Sequence, residues 1–181
     1  MKYAFCFAAS WLLLAGCSSI SVSRDYDASA DFSSLETYAW QHAKQPETGN
    51  PRIDNDLMDA RVRRAVDAQM AEKGFVLVPA SEADFLVAYF FDYKRRISGS
   101  SVSFGMGGGS YRRYGGAGYN TSITDYDEGH LTIDIIQPAS GNNIWRGIGR
   151  RTTYEGSNPE KMTRIVNTAV AKILSKFPPV K

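Results

Sequence analysis

Three aspartates lie beside or inside apolar segments of this chain, where a carboxylate could take part in acid–base chemistry. Asp84 precedes the segment FLVAYFF, Asp92 follows it, and Asp134 interrupts the alternating segment LTIDIIQ. Two carboxylates that flank a glycosidic bond are the usual machinery of glycoside hydrolysis. The sequence does not bring any two of them together. For Asp84, accepting backbone hydrogen bonds at the entry to a strand is the simpler interpretation.

Other catalytic and metal-binding patterns are incomplete. The chain has two histidines, His42 and His130, and the second ends the acidic stretch TDYDEGH at residues 124–130. The spacing in that stretch matches neither a calcium loop nor a helical zinc motif. No serine occupies the pattern Gly-x-Ser-x-Gly of a nucleophile elbow. We therefore predict no catalytic residue, no metal site and no cofactor, and hence a protein that is not an enzyme.

The stretch FGMGGGSYRRYGGAGYN, residues 104–120, combines glycine with tyrosine and arginine. It lacks the spacing of a dinucleotide fingerprint, and it lacks the Gly-Lys-Ser/Thr ending of a phosphate-binding loop. A linker between two strands is one interpretation. An interaction loop is the other, because tyrosine, glycine and serine make adaptable contact surfaces. The candidate interaction surface comprises Tyr111, Arg112, Arg113, Tyr114, Trp145 and Arg146.

The amino terminus has the layout of a secretory signal. A single lysine precedes a short apolar run over residues 3–15, which is too short for a permanent membrane-spanning helix. The run ends in LAGC, residues 14–17, which resembles the lipobox of bacterial lipoproteins at all four positions. This resemblance implies removal of the signal peptide, residues 1–16, and attachment of acyl chains, palmitate among them, to Cys17.

The same resemblance implies a location. Ser18 and Ser19 follow the lipidated cysteine, whereas lipoproteins retained at the inner membrane usually have an aspartate there. We therefore expect an anchor in the outer membrane, on its periplasmic face. Because Cys6 lies in the removed segment and Cys17 carries lipid, no thiol remains for a disulfide, a metal or a nucleophile.

The length of the chain and its charge limit the number of domains and the kinds of partner that we expect. Of 181 residues, 165 follow the signal segment, enough for one domain with a sizeable core. The 21 basic and 19 acidic residues are nearly balanced. A nucleic-acid partner is therefore not expected, because an exported protein without a basic surplus has little affinity for one and seldom meets one.

Two amphipathic helices and several strands are predicted along the chain. Apolar residues recur at three- and four-residue steps over residues 54–73 and again from Asn158 to Phe177. Asp54 or Asn55 can cap the first helix, and Asn158 followed by proline can begin the second. The predicted strands cover residues 37–40, 75–79, 85–93, 131–137 and 144–154, with a hairpin turn at residues 138–143.

This order predicts an α+β fold: a mostly antiparallel β-sheet with two helices packed on one face, in a single domain. Residues 17–30 are expected to form a lipidated tether that leads into a first strand. Residues 31–181 are expected to form the domain, with a Gly-rich loop at about residues 99–129.

The quoted segments together resemble a known protein family. FSSLETYAWQ, EKGFVLV, ADFLVAYFF, HLTIDIIQPASGNNIWRGIGRR and the terminal FPP are similar to the lipoproteins grouped as domain of unknown function 4136. The resemblance runs from about Val22 to Pro179. It implies the fold and the compartment, and it implies no activity.

We therefore expect an envelope lipoprotein with a non-catalytic binding or structural role. Its expected partners are the membrane, through the lipid on Cys17, and envelope proteins, lipid headgroups or peptidoglycan. A cell-wall glycan hydrolase and an accessory subunit of an envelope assembly are the alternatives.

Overall fold

The computed structural model describes residues 20–51, 53–99, 123–153 and 158–179, and of residues 95–99, 123–127 and 153 it describes the backbone alone. The elements, in chain order, are β1 (Ser21–Tyr26), β2 (Thr37–Trp40), α1 (Asp56–Glu72), β3 (Val76–Leu77), β4 (Phe85–Gly99), β5 (Ile123–Ile136), β6 (Asn143–Thr153) and α2 (Pro159–Leu174).

The six strands in the described residues form one sheet, in the order β1-β6-β5-β4-β2-β3. β1, β6, β5 and β4 pair antiparallel, whereas β2 runs parallel to both β4 and β3. Parallel neighbours need a long connection, and α1 supplies it between β2 and β3. The predicted α+β fold, with a mostly antiparallel sheet in a single domain, is confirmed.

Both helices begin at the residues that the sequence indicated. Asn55 caps α1, and its side chain accepts a hydrogen bond from the amide of Met58. Asn158 caps α2 in the same way, through the amide of Lys161, and proline stands in the first turn. Gly74 follows α1 with a φ of 89°, a left-handed conformation that glycine adopts without strain.

The core lies between the helices and one face of the sheet. On that face, aligned residues of three neighbouring strands are buried: Val87, Ile135 and Trp145 form one row. The buried faces of the helices pack against such rows. Those helix residues are Met58, Val62, Ala65, Val66 and Met70 of α1 and Val166, Ala169, Val170, Ile173 and Leu174 of α2.

α2 approaches β6 very closely, and two glycines make this possible. A methyl group on Gly147 would lie 2.5 Å from Cγ2 of Ile173 and closer still to the ring of Trp145. A methyl group on Gly149 would lie 2.9 Å from Cδ1 of the same isoleucine. The segment RGIG therefore alternates an outward side chain with a position where only hydrogen fits beneath the helix.

The domain begins earlier than predicted. The boundary at residue 31 is wrong because Ser21–Tyr26 is an edge strand of the sheet, paired with β6 along its whole length. Its polar composition suggested a tether, but an edge strand of an antiparallel sheet needs apolar side chains on one face alone. Ile20, just before this strand, is buried in the core.

The carboxyl-terminal part of the predicted Gly-rich loop, residues 123–129, belongs to a strand. β4 continues to Gly99, and β5 already begins at Ile123, so residues 123–129 are strand rather than loop. Residues 100–122 lie outside the described part of the chain. The acidic stretch at residues 124–130 looked like a loop because charge is typical of loops, yet a long two-stranded ribbon tolerates charge on both faces.

Candidate binding surface

The face of the sheet opposite the helices carries the clearest arrangement of polar side chains. Residues paired across antiparallel strands point to the same face, so the register sorts them into rows. Among the described residues, no helix covers this face. The free face includes Ser21, Ser23, Asp25, Ala88, Phe90, Asp92, Lys94, Glu128, His130, Thr132, Asp134, Arg146, Ile148, Arg150 and Thr152.

An ion pair between Asp134 and Arg146 lies in the first row. The two residues face each other on β5 and β6, and the guanidinium donates two hydrogen bonds of 2.6 Å, one to each carboxylate oxygen. The Asp134 side chain is 3% exposed and that of Arg146 is 46% exposed. The hydrogen bond to Asp134 raises the pKa of Arg146, although partial burial opposes that shift.

A second polar row lies four residues away from the first along the strands. Asp92, His130 and Arg150 are aligned across β4, β5 and β6. Nε2 of His130 lies 2.8 Å from Oε2 of Glu128 on the same strand, and both side chains are largely buried. Arg150 donates to the hydroxyl of Ser23 on β1 at 3.4 Å.

An apolar row separates the two polar rows. It contains Phe90, Thr132 and Ile148, of which Phe90 is 40% exposed. The free face therefore presents charge, then apolar surface, then charge. Such a pattern suits recognition of another surface, because apolar contact supplies affinity and the flanking charges supply orientation.

The three aspartates singled out in the sequence do not converge. Asp84 and Asp92 are eight residues apart along an extended chain, or about 26 Å. Asp134 pairs with Ala88, midway between them, and is therefore about 13 Å from either one along the strands. Glycosidase carboxylates are separated by about 5–9.5 Å. These three residues therefore do not form such a pair.

Asp84 has the role that the sequence favoured. Its Oδ2 accepts hydrogen bonds from the backbone amides of Glu36 and Thr37, at 3.0 and 2.8 Å, and from the hydroxyl of Thr37. These backbone and side-chain donors lower the pKa of Asp84. The carboxylate fixes the entry of β2 beside β4 and is fully committed to that structural task.

The carboxylates of α1 that face the sheet are also committed to structure. Asp67 accepts hydrogen bonds from the hydroxyl of Tyr38 and the indole of Trp40, and Asp59 accepts one from the hydroxyl of Tyr89. Burial, and then the hydrogen bond to the carboxylate, raise the pKa of both tyrosines. These bonds could not be predicted from the sequence, because each joins a helix residue to a strand residue about 30 positions away and no local pattern marks such a pair.

The structure places the remaining predicted site residues in different environments. Arg146 lies on the free face, whereas Trp145 points the other way and is buried in the core. Its inclusion in the interaction surface is therefore wrong, because the alternation that exposes Arg146 buries its neighbour beneath α2. Cys17 and the four residues Tyr111, Arg112, Arg113 and Tyr114 lie outside the described residues.

Two further observations concern metals and membranes. No group of three or more histidine, cysteine, aspartate or glutamate side chains that could hold a metal ion occurs in the described ranges. Within those same ranges, neither helix has the length and apolar character needed to cross a bilayer.

The sheet has both helices on one face and mixed charged and apolar side chains on the other, where no helix lies within the described residues. This arrangement defines a single-domain α+β protein. The chain belongs to the family described as Domain of unknown function (DUF4136), whose sequence profile matches residues 22–179. The match begins within β1, and it confirms the family resemblance found in the sequence segments.

Known structures are similar in fold. A PDZ domain protein from Parabacteroides distasonis has a TM-score of 0.54 and 11% identity over 90% of this chain and 37% of that chain. This chain therefore spans little more than a third of that protein. A PelC dodecamer from Paraburkholderia phytofirmans has a TM-score of 0.48 and 12% identity over 90% of this chain and 99% of that chain. Comparison with curated proteins gave no match.

Proposed function

We propose that this protein is a lipoprotein of the bacterial cell envelope, held by acyl chains on Cys17 at the periplasmic face of the outer membrane. Its domain binds or braces another envelope component and does not catalyse a reaction. The observation that carries the proposal is the sequence LAGC at residues 14–17, placed directly after a charged and then apolar leader. Several acyl chains on one cysteine would hold the domain almost permanently, because each buried methylene contributes about 0.8 kcal/mol.

The short distance between the lipid and the fold supports this proposal. Only Ser18, Ser19 and Ile20 separate Cys17 from β1, a span of about 14 Å at full extension. A domain on so short a connection stays against the bilayer surface. Its edge strand β1, which starts at this point, would then lie nearest to the headgroups.

Basic side chains stand where the chain enters the domain. Nζ of Lys172 lies 3.5 Å from the carbonyl oxygen of Ile20, and Arg24 donates to the carbonyl oxygen of Lys176 at 3.2 Å. Arg24 belongs to β1 and Lys172 to the last turn of α2, so two cationic side chains lie close to the first described residues of the chain. Positive charge at this position favours contact with the phosphates of a membrane surface.

The non-catalytic part of the proposal is supported by how the carboxylates are used. Asp84 holds backbone amides, Asp134 pairs with Arg146, and Asp59 and Asp67 bind tyrosine hydroxyls. Carboxylates held in this way stabilise the fold rather than act on a bond of a substrate. The free face, with its apolar row between two charged rows, is the surface best suited to a protein or glycan partner.

An accessory role in an envelope assembly remains the second candidate, and one observation favours it. β3 is an edge strand of two residues, Val76 and Leu77, and their side chains are more than half exposed. A strand from a partner could pair with such an edge and cover these side chains. Crosslinks from this edge, rather than from the free face, are the result expected for that role.

Cell fractionation of a Cys17→Ala variant tests the anchor. We expect the parent protein to need detergent for extraction, and the variant to become soluble or to accumulate as a longer precursor. Cys6→Ala is the matched control, because it removes the other cysteine from the segment that is cleaved, and it should extract like the parent. Unchanged extraction of Cys17→Ala would rule the anchor out.

A photo-crosslinking residue at position 148, on the free face, tests the binding role in intact cells. The control carries the same residue at position 57, on the outer side of α1, where Leu57 is 68% exposed. We expect a discrete crosslinked product from position 148 alone. Cleavage of purified peptidoglycan by the protein would contradict the non-catalytic role.

A further inference from the structure

Three arginines of α1 differ in what their side chains do. Arg63 is occupied: its Nε donates to Asp59 at 2.9 Å, its Nη2 donates to the carbonyl oxygen of His42, and its guanidinium lies 4.4 Å from the centre of the Trp40 ring. This arginine ties α1 to the loop after β2. Its neighbours Arg61 and Arg64 point elsewhere and require a separate explanation.

Arg61 and Arg64 line a groove between the two helices. The groove has a volume of about 390 Å³, opens to solvent, and contains no carboxylate in its lining. Its other lining residues are Ala65, Ala68, Gln69, Thr163 and Asn167. Three small or short side chains leave room beside the guanidinium groups, and the amide of Asn167 adds a donor from the α2 side.

Neither guanidinium is neutralised within the described part of the chain. Nε of Arg64 donates to the carbonyl oxygen of Ala60 at 3.1 Å, which orients the group and leaves its terminal nitrogens available. None of the ion pairs formed among the described residues involves Arg61 or Arg64. Residues three apart on a helix are neighbours, so two like charges are held close together. A bound anion would relieve that repulsion.

Acidic side chains of the two helices do not pair with these arginines. Asp67, three residues after Arg64, accepts its hydrogen bonds from Tyr38 and Trp40 of the sheet. Glu72 accepts a hydrogen bond from Gln69 at one end of the groove, at 2.8 Å, and is engaged there. Glu160 is exposed in the first turn of α2, one turn before Thr163. The groove, which is lined by two arginines and by no carboxylate, is therefore electropositive.

We propose that this groove binds a phosphate group, with Arg61 and Arg64 as the principal donors and Asn167 as an auxiliary donor. The planar fork of a guanidinium matches two phosphate oxygens at once, and two such forks one helical turn apart suit a phosphomonoester or phosphodiester. The volume exceeds that of phosphate alone and leaves space for an attached glycerol or sugar. A lipid headgroup and a soluble phosphorylated molecule share this chemistry.

Titration calorimetry of the full chain in detergent, at low ionic strength, tests the proposal. The probes are inorganic phosphate, glycerol 3-phosphate and dihexanoylphosphatidylglycerol. We expect saturable binding that is weakened at least tenfold in Arg61→Gln/Arg64→Gln. Arg164→Gln removes an exposed positive charge outside the groove and should bind within twofold of the parent. Thermal melting of all three proteins checks that the fold is retained.

The three probes separate the two sources of phosphate. Tighter binding of the short-chain lipid than of the other two probes assigns the groove to a lipid headgroup. Equal binding of glycerol 3-phosphate and the lipid assigns it to a soluble phosphomonoester or phosphodiester. Absence of binding to the parent, unchanged binding in the double variant, or an equal loss in Arg164→Gln would overturn the proposal. None of these outcomes depends on the lipid anchor.

Discussion

Arg146 and Gly147 are neighbours on β6, yet they belong to surfaces with opposite requirements. Gly147 lies under α2, where even a methyl group would overlap Ile173 and Trp145. Arg146 lies on the free face, where its long side chain extends over Asp134 and remains nearly half exposed. The same strand thus supplies tight packing on one side and a charged surface on the other, so substitutions on the two faces should affect the protein for different physical reasons.

The largest loss of stability should come from a substitution on the face of the sheet that the helices cover. Gly147→Ala should lower the free energy of unfolding by about 3 kcal/mol, the upper end of the range for overpacking, because both obstructing side chains are fully buried. Urea denaturation measures the loss. Adding Ile173→Ala to the variant should cost less than the sum of the two single changes, because it removes one of the obstructing groups.

The control for this prediction removes a large side chain from the opposite face. Phe90→Ala should cost about 1 kcal/mol or less, because no described helix packs on Phe90 and its ring is 40% exposed. If Phe90→Ala proved as costly as Gly147→Ala, the two faces would not differ in the way the structure indicates.

An intermediate effect should come from the ion pair on the free face. Arg146→Met should lower the free energy of unfolding by about 2 kcal/mol, because it leaves the buried carboxylate of Asp134 without its partner. The cost stays below that of a fully buried pair because solvent reaches the guanidinium. The double variant Arg146→Met/Asp134→Leu should recover much of the loss in the same denaturation experiment. No recovery would mean that the pair itself is not the cause.

The smallest loss of stability should come from a substitution of Asp84, which lies where β2 and β4 begin and belongs to neither face of the sheet. Its pKa is lowered in the folded protein, so its contribution to stability is present above the unfolded value of about 3.9 and is lost as the pH falls through the folded value. Asp84→Asn should therefore lower the melting temperature at neutral pH, and the difference from the parent should shrink as the pH falls below 4.

Asp92→Asn makes the same chemical change on the free face, at an exposed position of the strand that Asp84 begins. It should leave the melting temperature at neutral pH close to that of the parent. A parallel decrease in both variants would show that net charge, rather than the bonds to Glu36 and Thr37, is responsible.

Local patterns in the sequence were sufficient for the helices, their caps and the fold class. The four-residue steps of Val62, Val66 and Met70 fix which side of α1 is buried, whatever that side packs against. The caps Asn55 and Asn158 act on amides three residues away, so their roles are also local. The family segments likewise follow from the order of residues alone.

The start of the domain and the length of the ribbon formed by β4 and β5 depended on which strands pair with each other. β1 is polar enough to be read as a tether, and it becomes a strand because β6 pairs with it. Residues 123–129 contain three acidic residues and end in Gly129, and they become strand because the far end of β4 lies opposite them. Whether such a segment forms a strand depends on the neighbouring strand, and the residue types within the segment do not decide it alone.

The candidate site was decided by register, which the sequence could not supply. Counting outward from the pair Ile136 and Asn143 would set Asp134 opposite Trp145, but an irregularity next to Ile136 shifts the pairing and brings Arg146 there instead. A slip of one residue turns every side chain to the other face. Residue types and helix periodicity were therefore determined by the sequence itself. Which carboxylate meets which guanidinium was determined only when the strands packed, because that choice depends on contacts between distant segments.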